Sequence, residues 1–396
     1  MTRSRENADG ARLDAVNRTA DNATVALKAP LATPTFTGKV TAPSLILTPR
    51  TVPTSPAPVE GQIYYNNADN VIYMYTGAVW QQLTNVPFGG TGGNSIVTSG
   101  AFKIHVFTAS GTFTPNMDGT VDWLVVAGGG SSSGASGGGS GGGGAGGFRT
   151  GASLAVTENP LTITVGAGGV GATTGSNTAY GANGVDSSIV GADITNIVST
   201  GGGASGPAGN NSDKVGQNGG SGGGAGSSGH SDSSASATVL GGSGNTPSTS
   251  PSQGNNGGNY VRGSYTWGAG GGASGGGAGA VGLSPNTESG GRDGGIGKNE
   301  IMGLSASDSN TLLTAASAGH SSGGTRYFAG GGASGSSATP IGVGGLGGGG
   351  GNATVGATSH AVAGTANTGG GASGAYGASG APANGGSGII IIRYAI

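Results

Sequence analysis

Of the 94 glycines in this 396-residue chain, eleven precede residue 128 and none follows residue 388, so nearly one residue in three between those points is Gly. Such a stretch cannot form a conventional hydrophobic core. Gly brings no apolar side chain, and ordering it costs roughly 0.5–1 kcal/mol more than ordering Ala. A folded state must recover that loss through dense backbone hydrogen bonding, each bond contributing about 0.5–1.5 kcal/mol net.

Three readings of the region follow. Gly/Ser-rich sequence commonly forms flexible linkers. Against this, LAVTENPLTITV (154–165), SSIVGADITNIV (187–198) and the closing IIIIRY (389–394) are β-branched runs of a kind that disordered tracts seldom carry. A nucleotide loop is the second reading, because Gly166, Gly168 and Gly171 form GxGxxG after the strand-like LTITV. That motif needs a following helix, and ATTGSNTAYGANG has no helical periodicity. Collagen is excluded by the absence of a strict three-residue period. Calcium-binding nonapeptide repeats are excluded because the aspartates do not recur at a fixed offset after paired glycines.

The third reading makes the glycines architectural. A polyproline-II helix turns once every three residues and presents three faces, so copies pack side by side only where those faces lack side chains. A helix surrounded by neighbours should be nearly all Gly, as at 141–144 and 347–351, whereas a surface helix can carry Ala or Ser on its open face. The hexapeptide GGGASG, beginning at Gly201, Gly270, Gly330 and Gly369, fits the surface case. The copies are unevenly spaced, which suggests conserved crossings joined by loops of different length.

Upstream, Leu13, Val16, Ala20, Ala23 and Leu27 fall at coiled-coil spacing, although an isolated amphipathic helix explains them equally well. Prolines at 30, 34, 43, 49, 53, 56 and 58 favour extended backbone, so 29–59 reads as a thin shaft. Strand-like runs at 62–66, 71–75 and 79–83, separated by turn residues, predict a three-stranded meander over 60–86. So small a sheet cannot cover Tyr73, Tyr75 and Trp80 by itself, and self-association would. Residues 87–100 read as a Gly-rich linker. The segment 101–396 reads as one domain in which strands at 102–127 and 389–394 bracket the glycine-rich 128–388.

Only 8% of residues are charged, and the formal net charge of −2 provides no electrostatic footprint for nucleic acid. Cys is absent and the four histidines are scattered, so neither a metal nor any other cofactor is expected. The longest aliphatic run, Ile389 to Ile392, is too short to span a membrane, and residues 1–10 have no apolar segment behind them. Neither membrane insertion nor a cleaved signal is expected.

The segments APLATPTFTGKVTAP (29–43), EGQIYYNNADNVIYMYTGAVW (60–80), KIHVFTASGTFTP with VDWLVVAGGG (103–130) and GGSGIIIIRY (385–394) resemble bacteriophage tail-fibre proteins with a glycine-rich C-terminal domain. The resemblance covers nearly everything beyond residue 28. It implies a mostly β, fibrous homotrimer whose receptor-binding tip is a sandwich of packed polyproline-II helices flanked by β-strands. Residues 1–28 would dock on a tail, baseplate or adaptor protein, and loops of the tip would contact a bacterial surface glycan or outer-membrane protein. The protein would be a non-enzymatic part of the virion, made in the host cytoplasm and released by lysis.

Recognition residues belong between the GGGASG copies, where Tyr260, Arg262, Tyr265 and Trp267 offer aromatic and Arg anchors. Arg326, Tyr327 and Phe328 directly precede Gly330, and Arg292, Asp293, Lys298 and Glu300 form the densest charge cluster. Each group has a structural alternative: rings covering the edge of the bundle, or charges on a solvated loop. Leu13, Val16, Ala20, Leu27, Tyr73, Tyr75 and Trp80 are the candidates for trimerisation. Two other functions stay open. One is a purely structural virion spacer. The other is a polysaccharide-degrading tailspike, which needs two close carboxylates, with Glu288, Asp293, Glu300 and Asp308 the available acids.

Overall fold

The computed structural model describes residues 49–50, 57–68, 71–83, 87–176, 178–209, 214–227, 238–261, 270–285, 290–337, 339–351 and 358–396. Two compact units divide at Asn85/Val86. The N-terminal helix with Leu13, Val16, Ala20 and Leu27, and all of the shaft but Pro49–Arg50 and 57–59, lie outside the described residues.

In the first unit, β1 (Pro49–Arg50) runs parallel to β2 (Ile63–Asn66), which pairs antiparallel with β3 (Val71–Tyr75), and β3 with β4 (Trp80–Gln82). The predicted meander is present, each strand within one or two residues of its expected bounds. Gly77, at φ +89°, takes the left-handed conformation of the turn between β3 and β4.

The second unit rests on two antiparallel sheets. In the first, β10 (Phe148–Val156), β9 (Gly119–Val126), β18 (Ile389–Ala395), β7 (Phe102–Phe107) and β6 (Ser95–Ser99) lie in that order. In the second the order is β13 (Ile197–Ser199), β12 (Ser187–Val190), β11 (Leu161–Thr164), β8 (Gly111–Pro115) and β5 (Gly90–Thr91). The strand β18 has an uninterrupted aliphatic run because both of its faces are buried. Ile390 and Ile392 join Phe107, Phe113, Ile163 and Ile189 between the sheets. Ile389 and Ile391 face the other way and pack with Ile104, Leu124, Leu312 and Leu313. Each such isoleucine contributes about 1.5–3 kcal/mol relative to exposure.

Leu312 and Leu313 belong to α1 (Ala306–Ala315), a helix that the sequence reading does not anticipate. Its signal is local: Ser305 caps the helix by accepting from the Asp308 amide at 3.2 Å. A hairpin of β16 (His320–Ser322) and β17 (Thr325–Tyr327) follows. Its two-residue turn, Gly323 and Gly324, has positive φ at both positions, as a type I′ turn requires. One further short pair, β14 (Thr238–Val239) with β15 (Tyr260–Val261), lies within the glycine-rich region.

The stretch 87–100 is not a free linker. It supplies the edge strands β5 and β6, one to each sheet. Gly92 (φ +109°) and Gly93 (φ +100°) let the chain cross between sheets within two residues.

Strands β9, β10 and β18 continue directly into extended glycine-rich segments, and here hydrogen bonding follows a new rule. Every amide from Gly139 to Gly147 donates to another segment, at 2.7–3.2 Å. Residues 139, 142 and 145 reach the carbonyls of 270, 273 and 276. Residues 140, 143 and 146 reach 375, 372 and 369, and residues 141, 144 and 147 reach 206, 203 and 200. Each neighbour is met at every third residue, the three-per-turn repeat of polyproline-II geometry. Ascending partners mark a parallel neighbour and descending partners an antiparallel one. Carbonyls of the same segment accept from three more: 127–134, 221–227 and 329–335. One segment is thus ringed by six, with no amide left unpaired.

Glycine at the centre is compulsory. A Cβ at Gly141, Gly142, Gly143 or Gly144 would collide with carbonyl groups of Gly224, Gly332, Gly130 or Ser221, all backbone of packed neighbours. The expectation that 141–144 is surrounded is met.

The GGGASG copies correct the surface reading. All four pack directly against 139–147, and Ala204, Ala273, Ala333 and Ala372 are fully buried. Their serines supply acceptors. The hydroxyls of Ser205, Ser274, Ser334 and Ser373 accept the amides of Ser133, Leu283, Arg292 and Val362 at 2.7–2.9 Å. Side chains are therefore tolerated inside the lattice where their oxygen satisfies an amide. Ser205→Ala is expected to cost about 1–3 kcal/mol, since it strands the buried Ser133 amide. Urea unfolding midpoints of the variant and wild type would measure this. The run 347–351 departs from expectation as well. Leu346, Gly347 and Gly348 make a turn, with φ +110° at Gly347 and +88° at Gly348, rather than a surrounded helix.

Candidate functional site

The lattice has a direction. Residues 127–135 leave β9 and run away from the sandwich, a turn at 136–138 reverses them, and 139–147 return to β10. Residues 369–376, the turn at 377–380 and 381–388 repeat this path into β18. The pattern holds for 253–261 and 270–280. Gln253 bonds Phe148 at the sandwich, whereas Gly270 bonds Gly139 at the far end. The chain comes in at β5, beside Pro115, and both this point and the end of β18 lie on the sandwich side opposite the lattice.

Of the predicted contact residues, Arg262, Tyr265 and Trp267 lie outside the described residues, as does Glu288. Tyr260 is only 7% exposed and packs against Ala225 and Ala273, so its ring is interior. Phe328 is fully buried in the cluster beneath α1, and its expected role as a surface anchor is corrected. Both rings are held inward because they sit on, or next to, lattice segments whose small residues leave room for them.

The half-buried Arg326 donates from Nη1 to the Gly319 carbonyl at 3.1 Å, holding the chain just past the C-terminus of α1. Tyr327 is half-buried and pairs with His320 across the hairpin. The charge cluster does not act as a unit. Arg292 is half-buried, and its backbone amide and carbonyl are engaged by Ser334. The exposed carboxylate of Asp293 accepts the Val343 amide at 2.7 Å, while the Lys298 ammonium lies 5.8 Å from the Phe148 ring centroid. Glu300 and Asp308 are exposed, and Asp308 accepts from the Ser305 hydroxyl at 2.8 Å. Among the described residues no group of three or more His, Asp or Glu could hold a metal ion.

On the meander, Tyr64 stacks on Tyr73 at 5.4 Å and meets Trp80 edge-on at 4.6 Å, and Trp80 lies 5.2 Å from Tyr75. Tyr64 is buried, whereas Tyr73, Tyr75 and Trp80 remain half-buried. The rings shield one another only in part.

His105, fully buried, ties the crossover between the sheets. Its Nδ1 is 2.6 Å from the Gly92 carbonyl, its Nε2 is 3.1 Å from the Tyr394 hydroxyl, and that hydroxyl accepts the Gly90 amide at 3.0 Å. The set is satisfied by a neutral imidazole protonated at Nδ1. Burial holds the His105 pKa below its usual 6.5, opposed by the Gly92 bond and aided by Lys103. Burial also raises that of Tyr394. The unfolded chain therefore takes up this proton at a higher pH than the folded chain does. Stability is complete above about pH 6.5 and declines on acidification below it. Urea midpoints measured against pH should show that decline, and His105→Gln should flatten it.

The family model of the Glycine-rich domain matches residues 108–395. The chain belongs to the glycine-rich domain family. The glycine-rich domain so defined takes in β8 to β18 with the lattice, and β5, β6 and β7 complete its sheets from outside the match. None of the curated proteins matches the chain.

Surface features that the sequence reading misses lie at the far turns of the glycine-rich domain, where Gly137 (φ +78°) and Gly377 (φ +79°) reverse the chain. Small polar residues dominate there, and nothing in their composition sets them apart from the lattice itself.

Proposed function

We propose that the chain is a bacteriophage tail-fibre protein, trimeric and non-enzymatic, whose glycine-rich domain is a rigid receptor-binding tip of packed polyproline-II helices. The observation that carries this reading is the polarity of the domain. The chain arrives at one end of the sandwich, and the lattice holds its reversals at the other, where a host surface would be met. Nine consecutive paired amides in the central segment give the rigidity that a presenting scaffold needs. The order of tail-fibre-like segments along the sequence supplies the phage context. The half-covered rings of Tyr73, Tyr75 and Trp80 support association of three copies through the meander, with residues 1–28 docking on the virion. The protein would act in the virion, against a bacterial glycan or outer-membrane protein.

Full-length protein added to host cells before the phage that carries it is expected to reduce adsorption with increasing dose. Undiminished adsorption at saturating protein would leave only a structural spacer. Sedimentation should give a mass of three chains, and a monomer would remove the fibre. New reducing ends from host envelope glycan would replace attachment by hydrolysis.

A further inference from the structure

A recess of about 370 Å³ opens where the start of β6, the turn after α1 and the turn at 365–368 converge. Its volume falls in the roughly 300–1,000 Å³ range of small-molecule sites. Val106, Ile389 and Ala318 give it an apolar floor, and Asn94, Thr365 and Asn367 form part of its polar wall. No charged side chain lines it. Arg326 reaches two of the lining residues, and its guanidinium is engaged there by the Ala318 and Gly319 carbonyls.

Polar capacity in this wall is only half used. The Asn94 Oδ1 accepts the amides of Thr108 and Ala109, at 2.9 and 3.1 Å, and Asn367 Oδ1 accepts from the Ser387 hydroxyl. The two backbone donors fix which side-chain atom of Asn94 is oxygen. Each Nδ2 group has two donor hydrogens and no partner among the described residues. The carbonyls of Ala316 and Ser317, just past the end of α1, likewise accept no bond among the described residues. Amide donors and carbonyl acceptors with capacity to spare, lining one recess with aliphatic side chains, match a ligand with hydroxyls on its edge and C–H groups on its face. A charged ligand would find no counter-ion.

We propose that this recess is a binding subsite for one neutral hexopyranose unit of a glycan. The proposal rests on the attachment reading of the domain and names its ligand class, with this contact placed where β18 begins and not at the far turns. The wall uses Asn94 and Asn367 as donors, the carbonyls of Ala316 and Ser317 as acceptors, and Val106 and Ile389 as the surface beneath the ring.

The test is saturation-transfer NMR on the full-length protein with methyl glycosides of glucose, galactose and mannose, and with glucuronic acid as a charged control. Transfer from at least one neutral glycoside is expected, with a Kd of about millimolar order for so small a ligand. Glucuronic acid should give none. The double variant Asn94→Asp, Asn367→Asp keeps both acceptor oxygens and loses both donors. It should melt near the wild-type temperature and bind at least tenfold more weakly. Ala366→Trp, which fills the mouth, should abolish transfer if the acidic variant proves unstable. Absence of transfer from all three neutral sugars, or binding unchanged in the variants, overturns the subsite. If adsorption is still blocked by the wild-type protein in that case, the attachment reading stands without this ligand.

Discussion

Gly143→Ala is expected to prevent the glycine-rich domain from assembling. The added methyl would enter the space between two backbones, against the carbonyl groups of Gly130 and Ser131 in a segment hydrogen-bonded on both sides. Side chains can change rotamer to relieve overpacking, but a backbone paired at every third residue can move only if the neighbouring segments move with it. The cost should exceed the roughly 4–5 kcal/mol that marks exceptional single substitutions. Gly137→Ala is the matched control. Gly137 has open space around it but a φ of +78°, so the change there should cost only about 1–2 kcal/mol. Soluble yield and thermal unfolding of the two variants decide the matter. A Gly143→Ala protein that melts alongside Gly137→Ala would mean that the lattice yields where the packing says it cannot.

Asp122→Asn should give the second-largest loss, about 3 kcal/mol, or roughly 4–6 °C in Tm for a unit of this size. The guanidinium of Arg393, 7% exposed at the side chain, donates to Asp122 Oδ2 from Nε at 3.0 Å and from Nη2. It also lies 4.3 Å from the Phe102 ring centroid. The other carboxylate oxygen accepts the Ser153 amide at 2.9 Å, where β10 bulges between Gly151 and Leu154. Neutralising Asp122 leaves a nearly buried charge without its counter-ion. Adding Arg393→Met should therefore recover much of the loss, and a double-mutant cycle in urea would measure that coupling. Equal stability of the single and double variants would show that the ion pair is not what holds this edge.

The meander at 62–83 and the strands around IIIIRY could be read from the sequence because alternation and β-branched runs carry their own period. That 141–144 must be surrounded also followed from composition, since four side-chain-free residues in a row allow neighbours on every face. The candidate site was far less legible. Tyr260 and Phe328 look like surface anchors by residue type, and only packing shows them to be interior. Asp293 looks like part of a charge cluster, and only the Val343 amide shows that it closes a lattice edge. The Asn94 and Asn367 recess joins positions far apart in the chain that no motif connects.

The sequence by itself determined the meander, the strands around FKIHVF, VDWLVVA, LTITV, SSIV and IIIIRY, that 141–144 is surrounded, and that ordering so much glycine requires nearly complete backbone pairing. Tertiary structure alone decided the partners: that GGGASG packs inside the lattice rather than on its surface, that 347–348 turns, and that a helix at 306–315 covers the first sheet. The physical reason lies in the glycine. A residue without a side chain marks where close approach is possible but not which carbonyl will be approached. Pairings such as Gly129 with Gly386 are fixed only when the strands of the sandwich set the register for every segment that leaves them.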